Sequence, residues 1–311
     1  MSIYDLSFCT PKDIPDEILE YDTQLEQLTV GTSGKLGILQ LSLEKDNFNN
    51  KTSIKNQFYK TPLCIKRALY IEETCPEMAY IYIISPSGGI LQGDRYRTDI
   101  TLKNYAKSHI TTQSATRIYK MNKNFGTQII NLYVDENCYL EYIPDQIIPF
   151  RNSKYYQVSN IKVHDTATCV YSEILTPGRV ASNESFEYDI CYMKVKAVNH
   201  TGKIRFIDIA KLEPKKESIT SFGIMNGYDI LGNIYILIPS DQLLVIKNEI
   251  NVFLNNLNNV IGGCTKLPDD GGLLVRLLGP FVFDIRNIIY SIIEIIRKRI
   301  LNVSFSGIRK N

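Results

Sequence analysis

Four carboxylates embedded in apolar, strand-like segments are the residues of this 311-residue chain that could do chemistry. Asp94 follows a glycine-rich turn, Glu141 and Asp145 flank a Tyr-Ile-Pro triplet, and Glu173 lies inside the run 171–175. A carboxylate in a buried strand must be paired, bound to a metal ion or hydrated, because burying a bare charge is very costly. Each one can also be a turn-capping Asp or a solvent-facing strand Glu, and the residues alone leave both interpretations open.

The other candidate side chains carry neutral oxygens or imidazoles. Thr111-Thr112-Gln113-Ser114 opens a hydroxyl-rich segment. The three histidines, His109, His164 and His200, fall in different segments and are not spaced as a pair on one helix. Neither a histidine-based zinc site nor a Ser-His-Asp triad is therefore predicted, and we interpret the histidines as ordinary strand or turn residues.

Charge and cysteine usage exclude several classes of protein. The 35 Lys and Arg against 33 Asp and Glu give a net charge of +2, which argues against a nucleic-acid surface and gives no reason to expect an anionic membrane as partner. None of the seven cysteines forms a CxxC pair, so no zinc knuckle or thioredoxin-type motif is predicted. The first eleven residues lack a secretory signal, and charges interrupt the apolar stretch 272–301. We therefore expect a cytoplasmic protein with reduced thiols and no transmembrane helix.

The glycine-rich segment 88–94 follows a predicted strand but does not fit a dinucleotide fingerprint. Its spacing is GGxxxG, and residues 95–102 after it alternate like a strand and do not open a helix. Gly88, Gly89 and Gly93 are therefore predicted to serve turn geometry, since glycine adopts positive φ without steric cost.

Short segments of alternating apolar and polar residues fill the middle of the chain and predict β-strands. Turn sequences such as Asn-His-Thr-Gly at 199–202 separate them. The predicted strands are 80–86, 95–102, 128–134, 169–175, 186–192, 204–209 and 234–238. Many short strands indicate a sandwich, barrel or solenoid, and no strict repeat selects a solenoid.

Residues 241–301 change to helical periodicity and predict two C-terminal helices. The second ends in Arg297-Lys298-Arg299, where cations suit the helix dipole. Between the helices, 262–272 is predicted as a glycine-rich loop. No linker or low-complexity segment marks a boundary, so residues 1–311 are predicted to form one domain.

Four sequence blocks in a fixed order resemble the UreD (UreH) family of urease accessory proteins. They are Pro86–Arg95, Thr111–Lys120, Leu140–Arg151 and Glu173–Phe186, the last of which contains the structural residues Gly178 and Arg179. A further segment, Gly272–Gly279, fits the family's last strand before its terminal helix. The resemblance covers roughly 31–299, whereas residues 1–30 have no clear counterpart and form an N-terminal extension. It implies a mainly β fold, sandwich-like or β-helical, with C-terminal helices.

The resemblance also implies a non-enzymatic function in urease maturation. Such proteins bind apo-urease and a helical accessory partner, UreF, and this assembly recruits the GTPase UreG. Nickel is then delivered to urease, and a water-filled tunnel through the protein is the path proposed for it. No tightly bound cofactor is implied, only nickel in transit. Two alternatives from other classes are a β-sandwich adaptor that handles no metal and a hydrolase built on a carboxylate pair such as Asp94 with Glu173.

A conduit must both accept Ni²⁺ and release it, so weak oxygen sites in series suit it better than imidazole or thiolate clusters. Within the matching blocks we predict transit sites at Asp94, Asp145 and Glu173. The residues predicted to line the path are Thr111, Thr112, Gln113, Ser114 and Glu141.

Overall fold

Most of the alternating segments form strands, as a computed structural model that describes residues 5–23 and 34–308 shows. Sixteen strands lie in these residues. They are β1 (Leu36–Lys45), β2 (Thr52–Lys60), β3 (Ala79–Ile83), β4 (Arg95–Lys103), β5 (Lys107–Thr112), β6 (Thr116–Ile118), β7 (Gly126–Val134), β8 (Tyr139–Tyr142), β9 (Ile147–Pro149), β10 (Lys154–Val163), β11 (Thr168–Leu175), β12 (Ile190–Asn199), β13 (Ile204–Leu212), β14 (Ile230–Leu237), β15 (Ile261–Lys266) and β16 (Leu273–Gly279).

The strands form two sheets. One has seven strands in the order β13-β12-β10-β7-β4-β1-β2. The other has nine strands: its main path runs β15-β16-β14-β11-β8-β5-β3, and β6 and β9 pair with each other beside β11. From β3 to β12 the long strands alternate between the sheets, so neighbours within a sheet are parallel, as β4, β7 and β10 are. Successive coils of chain stacked in this way make a β-solenoid-like sandwich, which confirms the predicted fold class.

Helices cover the outside of this sandwich. They are α1 (Leu6–Cys9), α2 (Asp16–Leu19), α3 (Leu243–Leu254) and α4 (Val282–Ile300). The last two match the two helices predicted within 241–301, and their buried isoleucines pack with the outward residues of the nine-stranded sheet. No helix in residues 5–23 or 34–308 is long and apolar enough to cross a membrane.

Strand alternation sorts the apolar side chains into three layers. The central layer lies between the sheets and includes Leu132 and Tyr171. A second layer, with Ile143 and Val170, lies between the nine-stranded sheet and the C-terminal helices. In the third, Ile18 of α2 packs on the outer face of the seven-stranded sheet. Adjacent residues of one strand therefore serve different layers.

Two predictions from the sequence are wrong in part, and a third concerns residues that the structure describes only in part. The predicted loop 262–272 is wrong in its first half, because β15 pairs antiparallel with β16 there. A Cβ on Gly262 would lie 2.5 Å from Leu277 Cδ2, so this glycine permits close strand packing. The predicted strand 186–192 begins only at Ile190, since Phe186 has φ +54°. The N-terminal extension 1–30 lies partly outside the described residues, which include α1 and α2.

Candidate functional site

A small cavity with both apolar and polar lining residues lies between the sheets beside the glycine-rich turn. It has a volume of about 50 Å³, and its lining includes Gly88, Tyr96, Thr112, Ser114 and Gln128. That volume holds about three or four water molecules. Gly88 and Ser114 are exposed and form part of the rim, whereas Tyr96 is buried.

The glycine-rich turn shapes one wall of this cavity. Gly88 and Gly93 have φ values of +78° and +73°, which only glycine adopts at little cost. Gly89 is needed for another reason, since a Cβ there would lie 2.4 Å from the carbonyl oxygen of Arg117. The turn can therefore approach β6 closely.

Asp94 is fully buried and ion-paired. Its Oδ2 lies 2.9 Å from Lys35 Nζ, and its two carboxylate oxygens accept the backbone N–H groups of Lys35 and Leu91 at 2.8 and 2.9 Å. The hydroxyl of Tyr96, which lines the cavity, lies 3.3 Å from Asp94 Oδ2. Asp94 thus fastens the turn to the start of β1 and touches the cavity through Tyr96.

Glu173 is buried on the inner face of β11 without an ion pair among residues 5–23 and 34–308. Tyr171 Oη and Gln157 Nε2 donate hydrogen bonds to its Oε1 at 2.7 and 2.6 Å. Burial raises the pKa of Glu173 to about 7, and the negative charge of Asp208 adds to the rise, whereas the two hydrogen bonds oppose it. The carboxyl is therefore poised to exchange a proton near neutral pH.

A run of polar side chains connects Glu173 with the cavity. Gln157 also lies 3.0 Å from the hydroxyl of Tyr155, which in turn lies 2.9 Å from Gln128 Oε1. Gln128 lines the cavity and pairs in register with Tyr96 on one side and Gln157 on the other. We call the six residues Asp94, Tyr96, Gln128, Tyr155, Gln157 and Glu173 the polar track.

Asp145 does not line the cavity but contacts a residue that does, through its main chain. Its backbone N–H donates to Thr112 Oγ1 at 2.8 Å, and Thr112 lines the cavity. Its carboxylate lies 3.3 Å from Arg286 Nη2 of α4. The three predicted transit acids thus each connect to a different cavity-lining residue.

The predicted path-lining residues divide between the two faces of the nine-stranded sheet. Thr112 and Ser114 line the cavity, and Gln113 is exposed beside them. Thr111 points to the other face of β5, where its hydroxyl donates to the carbonyl oxygen of Ile143 at 2.6 Å. Glu141 likewise lies on the face of β8 that packs under α4, opposite the cavity-lining Tyr142.

Glu141 belongs to a buried ionic cluster under α4. Arg297 donates to both of its carboxylate oxygens at 2.7 Å, His109 Nδ1 lies 2.5 Å from Oε2, and the hydroxyl of Tyr139 donates to Oε1 at 2.7 Å. Burial alone would raise the pKa of Glu141, but the charge and hydrogen bonds of Arg297 overcome it and hold the pKa at about 2. Glu141 is therefore a bound, ionised partner.

Arg297 corrects the interpretation of the basic cluster at the end of α4. It is fully buried, with Nη1 3.1 Å from Glu72 Oε2, and is not an exposed helix-end cation. Glu72 also accepts the backbone N–H and the hydroxyl of Ser306, at 3.0 and 2.6 Å, which fastens the segment after α4. This ionic cluster, defined by Glu72, His109, Glu141 and Arg297, ties α4 to the nine-stranded sheet.

Gly178 and Arg179 hold the turn after β11. Gly178 has φ +142°, and a Cβ there would lie 2.8 Å from the carbonyl oxygen of Glu184. Arg179 forms an ion pair with Glu184 and lies over the ring of Phe150, 4.2 Å from its centroid. These contacts fix the exit of the strand that carries Glu173.

Two of the three histidines, which the sequence analysis interpreted as ordinary turn or strand residues, lie side by side in the structure. The rings of His164 and His200 are tilted against each other with centroids 4.4 Å apart, although 36 positions separate the two residues. The signal that could have found them is strand register, since each follows the end of one of two paired strands. Among residues 5–23 and 34–308, no three His, Cys, Asp or Glu side chains converge as a ready metal site.

The raised pKa of Glu173 predicts a pH-dependent stability. The unfolded glutamate titrates near pH 4.3, so from there to about pH 7 the folded chain holds one more proton, and the free energy of unfolding falls as pH rises. Replacing Glu173 by Gln removes this component. Urea denaturation should therefore show that the stability gained in E173Q is larger at pH 8 than at pH 5 by roughly 2–3 kcal/mol. An equal difference at both pH values would show that Glu173 titrates normally.

Comparisons with known proteins agree over nearly the whole chain. A family model described as UreD urease accessory protein matches residues 35–309. The chain is 39% identical over 284 residues to a urease accessory protein UreD of Cenarchaeum symbiosum, covering 91% of this chain and 99% of that protein. It is 36% identical over 290 residues to a urease accessory protein UreD of Yersinia pseudotuberculosis, covering 93% of this chain and 90% of that protein.

Proposed function

The chain belongs to the UreD family of urease accessory proteins, and from this premise we propose that it is a scaffold and nickel conduit that serves apo-urease. Membership makes it an accessory protein and not an enzyme. Nickel is the cargo of the proposed conduit and not a resident cofactor.

One observation carries the conduit proposal: the cavity between the sheets is a meeting point for oxygen donors. Tyr96, Thr112 and Gln128 all line it. Tyr96 contacts the carboxylate of Asp94, and Thr112 accepts the backbone N–H of Asp145. Gln128 connects through Tyr155 and Gln157 to Glu173. The connection to Glu173 runs through the central layer, where Ser159 adds one more hydroxyl beside Tyr171 amid a large cluster of apolar side chains. A polar route through a hydrophobic core is costly to maintain, which supports a functional reason for it.

The chemistry of Glu173 suits transit better than storage. With a pKa of about 7, the carboxyl can release a proton as a Ni²⁺ ion binds its oxygens and regain a proton as the ion leaves. The buried site thus never holds a bare negative charge, and the site is not so stable that it traps the ion. Carboxylate, amide and hydroxyl oxygens also hold Ni²⁺ less firmly than imidazole or thiolate.

Asp94 has a different part in this proposal. Its carboxylate already binds the buried ammonium group of Lys35, so a metal ion would have to compete with that cation. We therefore rank Glu173 first among the three acids as a group that contacts the passing ion. Asp94 serves mainly to fix Tyr96 and the turn at the cavity.

The scaffold part of the proposal requires partner surfaces, and apo-urease, a UreF-type protein and a UreG-type GTPase are the proposed partners. Large apolar side chains, including Phe222, Phe281 and Phe283, are exposed on this chain. Extensive apolar surface is typical of proteins that form lasting complexes.

We expect the chain to be poorly soluble when produced alone and to become soluble when its helical partner is produced with it, because the partner covers exposed apolar surface. The soluble fraction and size-exclusion profile of the chain, with and without the UreF-type protein, measure this. A soluble, monodisperse monomer without that partner would contradict the expectation.

An adaptor that handles no metal is the second candidate, and the ion pairs of Asp94 and Glu141 favour it, because paired acids have structural roles. Nickel-dependent activation of urease separates the two. E173Q keeps the partner surfaces intact, so an adaptor would activate urease at the normal rate with this change, whereas a conduit would be slowed.

A further inference from the structure

We propose that His164 and His200 form a surface site for one divalent transition-metal ion. Val163 of β10 pairs in register with Asn199 of the parallel strand β12. The next residue of each strand therefore emerges at the same end of the sheet, which places the two imidazoles side by side. The inference deepens the proposed conduit, because it gives nickel a first contact on the outside of the protein.

The distance between the rings fits two ligands of one ion. With a metal–nitrogen distance of about 2.1 Å and a right angle at the metal, the centroids of two imidazoles lie roughly 4.5 Å apart. The observed separation is 4.4 Å, with 36° between the ring planes. His200 is 43% exposed, so water can complete the coordination.

The Nδ1 atom of each ring already has a partner that would orient the ring. His200 Nδ1 lies 3.3 Å from Asp165 Oδ2, and His164 Nδ1 lies 2.9 Å from Thr166 Oγ1. Asp165 would hold a proton on His200 Nδ1, which leaves His200 Nε2 to bind metal. His164 Nδ1 also accepts the backbone N–H of Thr166 at 3.2 Å, so metal binding at His164 Nε2 requires its ring proton to move to Nδ1, with Thr166 Oγ1 as the acceptor. A carboxylate partner such as Asp165 fixes the tautomer of a metal-binding histidine and raises its affinity for the metal.

The charges around the pair are balanced. Arg205 lies 2.6 Å from Asp165 Oδ1, and Lys203 lies 3.8 Å from Asp269 Oδ2, so neither cation stands unopposed beside the imidazoles. Two imidazoles select borderline ions such as Ni²⁺, Zn²⁺ and Cu²⁺ over Mg²⁺ and Ca²⁺. With only two protein ligands the ion stays exchangeable, as a loading point requires.

The test is a titration of the full-length chain, co-purified with its partner if needed, with Ni²⁺ alone while the imidazole NMR signals are recorded. Paramagnetic broadening should affect His164 and His200 together at the same nickel concentration. The buried His109 serves as an internal reference and should not follow them. H164A should weaken nickel binding at His200 by roughly tenfold or more, because the chelate is lost, and H200A should do the same at His164.

Independent behaviour of the two histidines would overturn the site: if H164A leaves the nickel affinity of His200 unchanged within twofold, no shared ion is bound. D165N is the positioning variant and should weaken binding while keeping both signals coupled. E173Q is the matched control for the interior track and should leave this titration unchanged. Failure of the surface site is thereby distinguished from failure of the conduit, which is measured by urease activation.

Discussion

Arg297→Met should lower the free energy of unfolding by about 3–5 kcal/mol, the range found when one partner of a buried ion pair is removed. Methionine keeps most of the length and apolar contact of arginine, so loss of charge and hydrogen bonds dominates. The change leaves Glu141 without the two hydrogen bonds that Arg297 donates and leaves Glu72 without its only cation among the described residues. Urea denaturation at pH 7 measures the effect.

Arg299→Met is the matched control, because Arg299 lies only two residues further along α4 but outside the buried face of the helix. Arg299 is half exposed and pairs with Glu249 at the surface, so its replacement should change stability by no more than about 0.5–1 kcal/mol. Adding E141Q to R297M should recover part of the loss, since it removes one of the two stranded carboxylates. Equal effects of R297M and R299M would show that the ionic cluster contributes nothing to the attachment of α4.

Glu173→Gln should slow urease activation by about tenfold or more while the chain stays folded, a scale comparable to the loss of a group that tunes a metal site. The amide has the same size as the carboxyl and can keep its hydrogen bonds to Tyr171 and Gln157. It cannot release a proton and bind an ion as a carboxylate. Because an uncompensated buried acid is removed, stability at pH 8 should rise as activation falls.

The same Glu-to-Gln substitution at an exposed position controls for the loss of one negative charge. E136Q changes an exposed turn residue between β7 and β8 and should leave both stability and activation unchanged. Activation is measured as the increase of urease activity with time, at fixed nickel and with equal amounts of complex. Normal activation by E173Q, with wild-type amounts of complex, would favour the metal-free adaptor.

The fold class and most of the strands could be predicted because periodicity of two survives in a half-buried strand. In the run 128–134, Ile130, Leu132 and Val134 occupy every second position, and the run lies inside β7. The shorter isoleucine-rich run 204–209 likewise lies inside β13. The prediction of a loop over 262–272 failed because Gly262 allows two strands to pack closely and does not form a turn. It also failed where a residue with positive φ, Phe186, delayed the start of a strand.

The partners of buried charges could not be predicted, because they come from distant parts of the chain. Glu141 and Arg297 are 156 positions apart, and Asp94 binds Lys35 across 59. A basic triplet at a helix end looks like dipole compensation, and nothing in its composition shows that Arg297 turns inward. The proximity of His164 to His200 depends likewise on parallel pairing, which local patterns do not determine.

Side chains alternate between the two faces of a strand, which explains why the hydroxyl-rich segment 111–114 does not line the cavity as a whole. Thr111 and Thr112 are neighbours in β5 but point to opposite faces, so only Thr112 reaches the cavity. A prediction based on blocks of sequence could identify the segment but not which of its residues face the cavity. The observed register supplies that division.

The passage of nickel past Glu173 is tested most directly by counting the metal that arrives. Apo-urease complexes carrying wild-type chain, E173Q or E136Q are incubated with the same nickel supply, and urease is then isolated for metal analysis by mass spectrometry. If the ion crosses the sandwich along the polar track, urease from the E173Q complex contains much less nickel at early times, while the other two load alike. Equal nickel in all three, with complexes of equal composition, would mean that the ion reaches urease by another route.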